Sequence, residues 1–251
     1  MEADHVVESS AAVSTLHARA STTTLRVATW NIHGGIGTDG RYAPQRIVDV
    51  LHEIDADLVA LQEVASRRAH ERFLSDIQRA TGYHIADGPL YQRSGSDFGN
   101  AILSRIPFTN VGHIDLAVAA YEPRGAIDVS IDVGSQRALR ALGTHLGLRP
   151  GERREQVRRL IAAVERESPH PTLLMGDLNE WYLWGRPLRW LHSHFQEVPA
   201  APRTFPAKRP MFALDRIWAS PAGCLRRLAP HRSALTRIAS DHLPLVAQIE
   251  L

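Results

Sequence analysis

The chain is poor in cysteine, in lysine and in long apolar runs, and each shortage excludes something. Its 251 residues include a single cysteine, Cys224, so neither an internal disulfide nor a cysteine-based structural zinc site can form. This favours a reducing compartment, and we expect a cytoplasmic location. No segment approaches the roughly 20 apolar residues that a transmembrane helix needs. Any contact with a membrane is therefore expected to be peripheral.

Positive charge is present in only slight excess. Lys208 is the single lysine among 29 basic residues, and the net charge is +2. No basic run marks a nucleic-acid-binding face, so nucleic acid is permitted as a partner but not favoured. Met1 to about Thr23 lacks the basic and apolar parts of a signal peptide, and we predict a disordered tail there (residues 1–23). Residues 24–251 are then predicted to form one domain.

Strand-like and helix-like segments alternate along the chain. Leu25–Ile32 and Asp57–Val64 are apolar runs typical of buried strands. Pro44–Ile54 and Gly151–Ser168 carry apolar residues at helical spacing, and Ser66–Gly82 is predicted to be a helix that ends on its glycine. Gly125–Val133 alternates as a half-buried strand does. The mixture predicts an α/β fold: a four-layer α/β sandwich in which two facing mixed β-sheets are flanked by helices.

Polar residues stand where these apolar runs begin or end. They are Asn31, Glu63, His145, Asp177, Asn179, Asp215, Asp241 and His242. Because a buried, unpaired carboxylate is costly, we expect these groups to gather around a cation, around water or around one another. Carboxylate and amide oxygens favour Mg²⁺ (or Mn²⁺) over zinc. The chemistry expected of such a set is metal-assisted hydrolysis of a phosphate ester.

Seven short motifs then carry a family resemblance. WNIHGG, ADLVALQEV, GNAILSR, THL, GDLN, LDRIW and SDH stand in the order seen in the endonuclease/exonuclease/phosphatase superfamily, whose fold is DNase I-like. Each motif is weak alone, but together they span Leu25 to Leu251 and most fall at a predicted strand end. The chain therefore resembles that superfamily, and most closely its small bacterial metal-dependent hydrolases of undefined substrate.

The resemblance implies roles for the residues of these motifs. Asp177 resembles the aspartate that orients or deprotonates the attacking water, and His242 the histidine that stabilises the transition state, with Asp215 orienting it. His145 resembles the second active-site histidine. Metal ligands would come from Asn31, Glu63 and Asp241. Substrate phosphate would be held by Asn100, Arg124 and Asn179, although Asn100 could instead be a turn amide and Arg124 could form a surface ion pair with Glu122. Gly176 would let the backbone approach the phosphate, and Asp177 and Asn179, two apart on an extended strand end, would point to the same side.

Two departures from the family pattern bear on the site. Some members carry an acid where this chain has His33, two residues after the strand asparagine. DNase pairs its central histidine with a glutamate, and here Asp97 is the nearest candidate partner for His145. The support of that histidine is therefore not assigned by the sequence.

Substrate specificity is the least determined property. We expect an Mg²⁺-dependent phosphoesterase that acts by metal-assisted water attack on a phospholipid head group or a small phosphorylated metabolite. A nuclease, DNase-like or specific for abasic sites, and a catalytically silent binding scaffold are the alternatives. Aromatic residues cluster after the GDLN motif, at Trp181, Tyr182, Trp184 and Trp190. They could stack on a base, contact lipid or pack under the loop, and packing is the favoured prediction.

Overall fold

The computed structural model describes residues 23–67, 70–93, 96–134, 137–165 and 170–251. The predicted disordered tail, apart from Thr23, lies outside these ranges. Within the described part of the chain, no helix is both long and apolar enough to cross a bilayer.

The first sheet has six strands in the order β10-β11-β1-β2-β4-β3. Its members are β1 (Thr24–Asn31), β2 (Leu58–Arg67), β3 (His84–Arg93), β4 (Ser96–Ser104), β10 (Leu225–Pro230) and β11 (Leu245–Glu250). Only the β1–β2 pair is parallel, and the other neighbours are antiparallel. The parallel pair is possible because α1 (Gln45–Ile54) provides the crossover between its strands.

The second sheet has five strands in the order β5-β6-β7-β8-β9. They are β5 (Phe108–Asp115), β6 (Gly125–Asp132), β7 (Ala138–His145), β8 (Thr172–Asp177) and β9 (Asp215–Ser220). Here β7 and β8 are parallel and are joined through α3 (Pro150–Glu165). The remaining helices are α2 (His70–Thr81), α4 (Arg186–Phe195) and the short α5 (Thr236–Ala239).

Three apolar layers hold the four structural layers together. The central one lies between the sheets and includes Val27, Ile102, Ile127 and Met175. The other faces of the sheets are covered by α1 and α2 on one side and by α3 and α4 on the other. Alternate residues of a strand therefore enter different layers. This is the predicted sandwich, and the fold-class prediction is confirmed.

Two local predictions were wrong. We predicted a helix from Ser66, but β2 continues to Arg67 and α2 begins at His70, because residues of this stretch pair with β4 as far as Arg67↔Ser96. The strands β3 and β5 were not predicted. Their residues alternate poorly: β5 has mostly exposed or half-buried side chains, as expected of an edge strand with one sheet neighbour.

Candidate active site

The polar residues predicted at strand ends meet at one end of the sandwich. In the first sheet, Asn31 at the end of β1 is in register with Gln62 of β2. In the second sheet, His145 at the end of β7 is in register with Asp177 at the end of β8, which pairs in turn with Asp215. Parallel pairing in both sheets brings these ends to the same edge, so residues distant in sequence become neighbours.

Glu63 owes its direction to a bulge in β2. The pairing of β2 with β4 shifts between Leu61 and Val64, and Glu63 has a φ of 54°. A bulge of this kind turns a side chain out of the regular alternation of a strand. The Glu63 carboxylate consequently accepts a hydrogen bond from the Asn31 side-chain amide at 2.9 Å, and the same amide nitrogen donates to Asp177 Oδ2 at 3.1 Å.

Asp177 lies at the centre of the cluster and is almost fully buried. Besides the Asn31 amide, its Oδ2 lies 3.6 Å from His145 Nε2 and 3.7 Å from His242 Nε2. Its other oxygen accepts the backbone N–H of Asn179 at 2.9 Å. One oxygen of Asp177 therefore lies between the two histidines predicted for the site.

Gly176 serves strand packing. We expected this glycine to let the backbone approach a phosphate. A Cβ at this position would instead overlap the carbonyl oxygen of Thr144 on β7. The absence of a side chain therefore lets β8 lie close to β7, and this close packing brings Asp177 alongside His145.

The pair His242 and Asp215 is buried and directly hydrogen-bonded. Nδ1 of His242 donates to Asp215 Oδ2 at 2.9 Å, and the Thr204 hydroxyl donates to the same oxygen at 2.5 Å. Burial disfavours the imidazolium, but the carboxylates of Asp215 and Asp177 outweigh it and raise the pKa of His242 to about 10. His242 is therefore a cation at neutral pH, with Nε2 directed toward Asp177.

His145 is held in the opposite state. Burial, with a smaller contribution from the nearby Arg124 guanidinium, lowers its pKa to about 3 against the pull of Asp177. Arg124 Nη1 lies 3.1 Å from Nδ1 of His145. A guanidinium nitrogen and a side-chain amide nitrogen are both donors, so Arg124 Nη1 at Nδ1 and Asn179 Nδ2, 2.9 Å from Nε2, compete for the single lone pair of the neutral ring. His145 is therefore a neutral imidazole enclosed by donors, with Nε2 3.6 Å from Asp177 Oδ2.

Arg124 makes one of the two contacts predicted for it and one contact that was not predicted. It forms the predicted ion pair with Glu122, at 2.8 Å, while its other terminal nitrogen faces His145. Asp97, the sequence-based candidate for the partner of His145, lies on β4 in register with Ser66 and Gln92. Arg124, and not Asp97, therefore contacts Nδ1 of His145. A cation in this place lowers the pKa of the histidine, whereas the expected carboxylate would raise it.

The two predicted phosphate amides are placed differently. Asn179 has a φ of 51°, so it stands just past the end of β8 in a left-handed turn and not on an extended strand as we expected. Its side-chain nitrogen lies 2.9 Å from His145 Nε2 and donates to the Leu146 carbonyl at 2.9 Å. Asn100 donates to the Gly125 carbonyl at 3.1 Å, a contact that ties β4 of one sheet to β6 of the other.

The side chains present suit a divalent cation. Carboxylate oxygens of Glu63 and Asp177 converge on a single amide nitrogen, and single carboxylate oxygens of Asp177 and Asp215 lie within 4.8 Å of each other. Within the described ranges, Asp215 Oδ1 is buried without a hydrogen-bond partner, which is a costly arrangement for a carboxylate oxygen unless another group meets it. Oxygen donors of this kind match the preference of Mg²⁺ or Mn²⁺.

Asp241 lies beside this cluster and is half-buried. Its carboxylate lies 3.3 Å from the Ser240 hydroxyl, and it is one of the charges that raise the pKa of His242. The Ser240 hydroxyl donates to the Asn31 carbonyl at 2.7 Å. This serine therefore ties the loop that carries Asp241 and His242 to the end of β1.

Several supporting residues were not found from the sequence. Thr204 holds Asp215, and the Trp30 indole donates to the His242 carbonyl at 2.9 Å. The backbone N–H of His33 donates to Asn31 Oδ1 at 3.0 Å, and the His33 ring contacts the backbone carbonyl of Ile36. Thr204 and Trp30 act across 11 and 212 positions, so no local pattern could have revealed them.

The chain is similar to known proteins in both sequence and fold. Residues 28–242 match the Endonuclease/Exonuclease/phosphatase family. The uncharacterized protein YbhP of Escherichia coli (strain K12) is 31% identical over 90% of this chain and 96% of its own length. An endonuclease/exonuclease/phosphatase structure from Beutenbergia cavernae is 26% identical, with a TM-score of 0.76, over 91% of this chain and 72% of its own.

A further solved structure shares the fold at lower identity. The mannosyl-6-phosphatase Bt3783 of Bacteroides thetaiotaomicron has a TM-score of 0.70 and 19% identity, over 90% of this chain and 99% of its own. The family match spans most of the chain and includes the strand-end residues from Asn31 to His242. The chain belongs to the Endonuclease/Exonuclease/phosphatase family.

Proposed function

We propose that the protein is an Mg²⁺-dependent phosphoesterase that hydrolyses a phosphodiester or phosphomonoester, on a phospholipid head group or a small phosphorylated metabolite. One observation carries the proposal. Asp177 lies between a histidine held as a cation and a histidine held neutral, with the Glu63 carboxylate sharing its amide donor. Such a division of charge suits attack by water on a negatively charged ester.

Each group then has a distinct task. Asp177 orients the attacking water and accepts its proton, since its carboxylate is buried and lies within reach of both rings. His242 provides a positive N–H for the charge that develops on phosphate, and Asp215 holds its ring orientation. His145 is a neutral imidazole and so adds a polar group beside Asp177 without a second positive charge.

The cation would be held by Glu63, with Asn31 and Asp241 beside it. A bound Mg²⁺ would neutralise phosphate charge and polarise the ester. The Asn31 amide, which donates to both Glu63 and Asp177, would hold these two carboxylates together beside the cation.

A substrate panel tests the proposal. Plasmid DNA, an abasic duplex, sphingomyelin, phosphatidylglycerol and inositol phosphates are each incubated with the protein and Mg²⁺. We expect release of phosphate or of a head group from a lipid or small ester, and loss of turnover in Asp177→Ala. Nicking of DNA alone would favour the nuclease alternative, and turnover of none of them would favour a binding scaffold. The similar fold of a mannosyl-6-phosphatase supports including sugar phosphates.

A further inference from the structure

A row of exposed apolar side chains borders the active site. Trp181, Tyr182, Leu183 and Trp184 are consecutive and all exposed, with Leu183 at 55% and Trp184 at 72%. Large apolar residues singly exposed need no explanation, but a contiguous exposed group marks an interaction surface. The prediction that these aromatics pack under the loop is therefore wrong for Tyr182 and Trp184, whose rings contact each other at 5.4 Å.

Two neighbouring loops extend this surface. Leu148 and Met211 are 63% and 61% exposed. Met211 adjoins Phe212, whose ring lies 4.7 Å from that of Trp181. The Leu148 carbonyl accepts a hydrogen bond from the Arg153 guanidinium, which also pairs with Glu180 in the loop after β8. We call this set the apolar rim; it consists of Leu148, Trp181, Tyr182, Leu183, Trp184 and Met211.

The rim is held rigidly. Glu180, directly before Trp181, is buried and paired with Arg153 at 3.2 Å. Arg153 also donates to the carbonyls of Gly147 and Leu148. The backbone N–H of Tyr182 donates to Glu180 at 3.2 Å. These bonds fix the loop after β8 to the loop after β7, so the exposed side chains stand on a supported surface.

The rim continues directly to the catalytic histidine. Trp181 packs edge-on against Phe212 and Phe205, at 4.7 and 6.1 Å between ring centres. Phe205 in turn lies 4.7 Å from the ring of His242. A partner that covers the rim is thereby brought to the mouth of the active site.

The exposed charges beside the rim all have one sign. Arg149 follows Leu148, Arg186 follows Trp184 by two positions, and Lys208 and Arg209 precede Met211; all four are exposed. The acidic residues nearest in sequence, Glu152 and Glu180, are buried. Aromatic and aliphatic groups flanked by arginine and lysine are the composition of a surface that inserts into an anionic lipid interface.

We propose that the apolar rim docks on a bilayer containing anionic lipid and presents the active site to head-group phosphates. This inference rests on the proposed function for its choice of a lipid substrate. A surface for stacking single-stranded bases is less well matched, because three of the six rim residues are not aromatic and aliphatic side chains offer no ring face to a base.

Vesicle binding tests this proposal without requiring turnover. Cosedimentation with vesicles of phosphatidylcholine, with and without phosphatidylglycerol, is measured for the wild type, Leu183→Ser, Trp184→Ser and the matched control Val111→Ser. Val111 is 45% exposed on β5, at the opposite edge of its sheet from β9. We expect binding to the anionic vesicles, a loss of about tenfold in each rim variant and no change in the control.

Charge and fold are checked in the same experiment. Arg149→Gln and Arg186→Gln should each weaken binding to the anionic vesicles by about fivefold. Hydrolysis of soluble bis(p-nitrophenyl) phosphate by the rim variants, equal to that of the wild type, would show that the variants are folded.

Three results would overturn the docking proposal: no vesicle binding by the wild type, equal loss in Val111→Ser, or binding of oligothymidylate in place of vesicles through the same residues. If soluble ester is turned over without vesicle binding, the docking proposal alone fails. If vesicles bind but no phosphate ester is hydrolysed, the proposed function alone fails.

Discussion

Arg124 directs a terminal nitrogen at Nδ1 of His145 across 3.1 Å while its other terminal nitrogen pairs with Glu122. A carboxylate at that position would stabilise an imidazolium, whereas a guanidinium excludes one. The same site holds His242 as a cation through Asp215. Two histidines that flank one aspartate are therefore kept in different protonation states: burial, with Arg124 adding to it, keeps His145 neutral, and the carboxylates of Asp215 and Asp177 overcome burial and keep His242 charged.

The protonation state of His145 gives the first prediction. Its pKa is lowered to about 3 by burial and then by Arg124, so the native ring should stay neutral at pH 5. Nitrogen-15 NMR of the imidazole measures its protonation state. In Arg124→Met the pKa should rise part of the way toward its ordinary value, while Glu122→Gln, which keeps the guanidinium, should leave the ring neutral. A wild-type ring that titrates near pH 6.5 would contradict this assignment.

The same shift has a consequence for stability. The unfolded chain binds a proton at His145 near pH 6.5, and the native protein does so only near pH 3. Because the unfolded state then binds more protons, the free energy of unfolding should fall as the pH drops below 6.5. Denaturant unfolding of His145→Gln should show a shallower acid slope than the wild type.

Asp215 provides the second prediction. Replacing it in Asp215→Asn removes the charge that raises the pKa of His242 and changes the group that orients its ring. We expect kcat on bis(p-nitrophenyl) phosphate to fall by about 10²- to 10⁴-fold, the range for loss of positioned acid–base assistance. Asp76→Asn, which removes an exposed carboxylate paired with Arg79, should retain full activity. Equal activity in both variants would show that Asp215 does not act on the reaction.

Gly176 gives a prediction about packing. A Cβ in Gly176→Ala would overlap the Thr144 carbonyl oxygen and force β8 away from β7. The cost should be about 1–3 kcal/mol in the free energy of unfolding, together with lower activity, because Asp177 moves relative to His145. Gly151→Ala meets no atom closer than 3.8 Å and should be neutral or stabilising by up to about 1 kcal/mol. Guanidinium unfolding of both variants makes the comparison.

The buried ion pair beneath the apolar rim gives the fourth prediction. Glu180→Ala would leave the Arg153 guanidinium buried without its partner carboxylate. It would also remove a negative charge that favours the charged form of Arg216, whose pKa is lowered to about 10 by burial. Loss of one partner of a buried pair costs about 3–5 kcal/mol. The matched change Glu155→Ala breaks ion pairs that are 40% exposed or more and should cost no more than about 0.5 kcal/mol. Similar losses of unfolding free energy in the two variants would contradict this role.

Much of the architecture was predictable because it depends on the local spacing of apolar residues along the sequence. Apolar runs that end in Asn31, His145 and Asp177 marked the strands and also their functional ends, since a polar group at the end of a buried strand has few places to go. The helix at Gln45–Ile54 followed from its apolar spacing. The fold class, which depends on the alternation of these elements, was obtained correctly for the same reason.

The remaining features depend on contacts that no local pattern encodes. The bulge that aims Glu63 arises from pairing with β4, and the Arg124–His145 contact joins two neighbouring strands. Burial of an aromatic residue depends on what covers it, so Trp30 and Trp184 could not be told apart by composition even though one is buried and the other exposed. Gly176 likewise looked like a ligand-approach glycine until its neighbour Thr144 was known.

Hydrolysis of bis(p-nitrophenyl) phosphate, measured with Mg²⁺ and with excess chelator for the wild type, Glu63→Gln and His242→Gln, tests the central claim most directly. Removal of a metal-binding carboxylate and removal of the cationic histidine affect different parts of the same step. We expect Mg²⁺-dependent turnover by the wild type, recovery at high Mg²⁺ in Glu63→Gln alone, and a loss of at least about 10²-fold in His242→Gln at every Mg²⁺ concentration. Turnover that persists in chelator, or that is unchanged in His242→Gln, would contradict metal-assisted hydrolysis at this site.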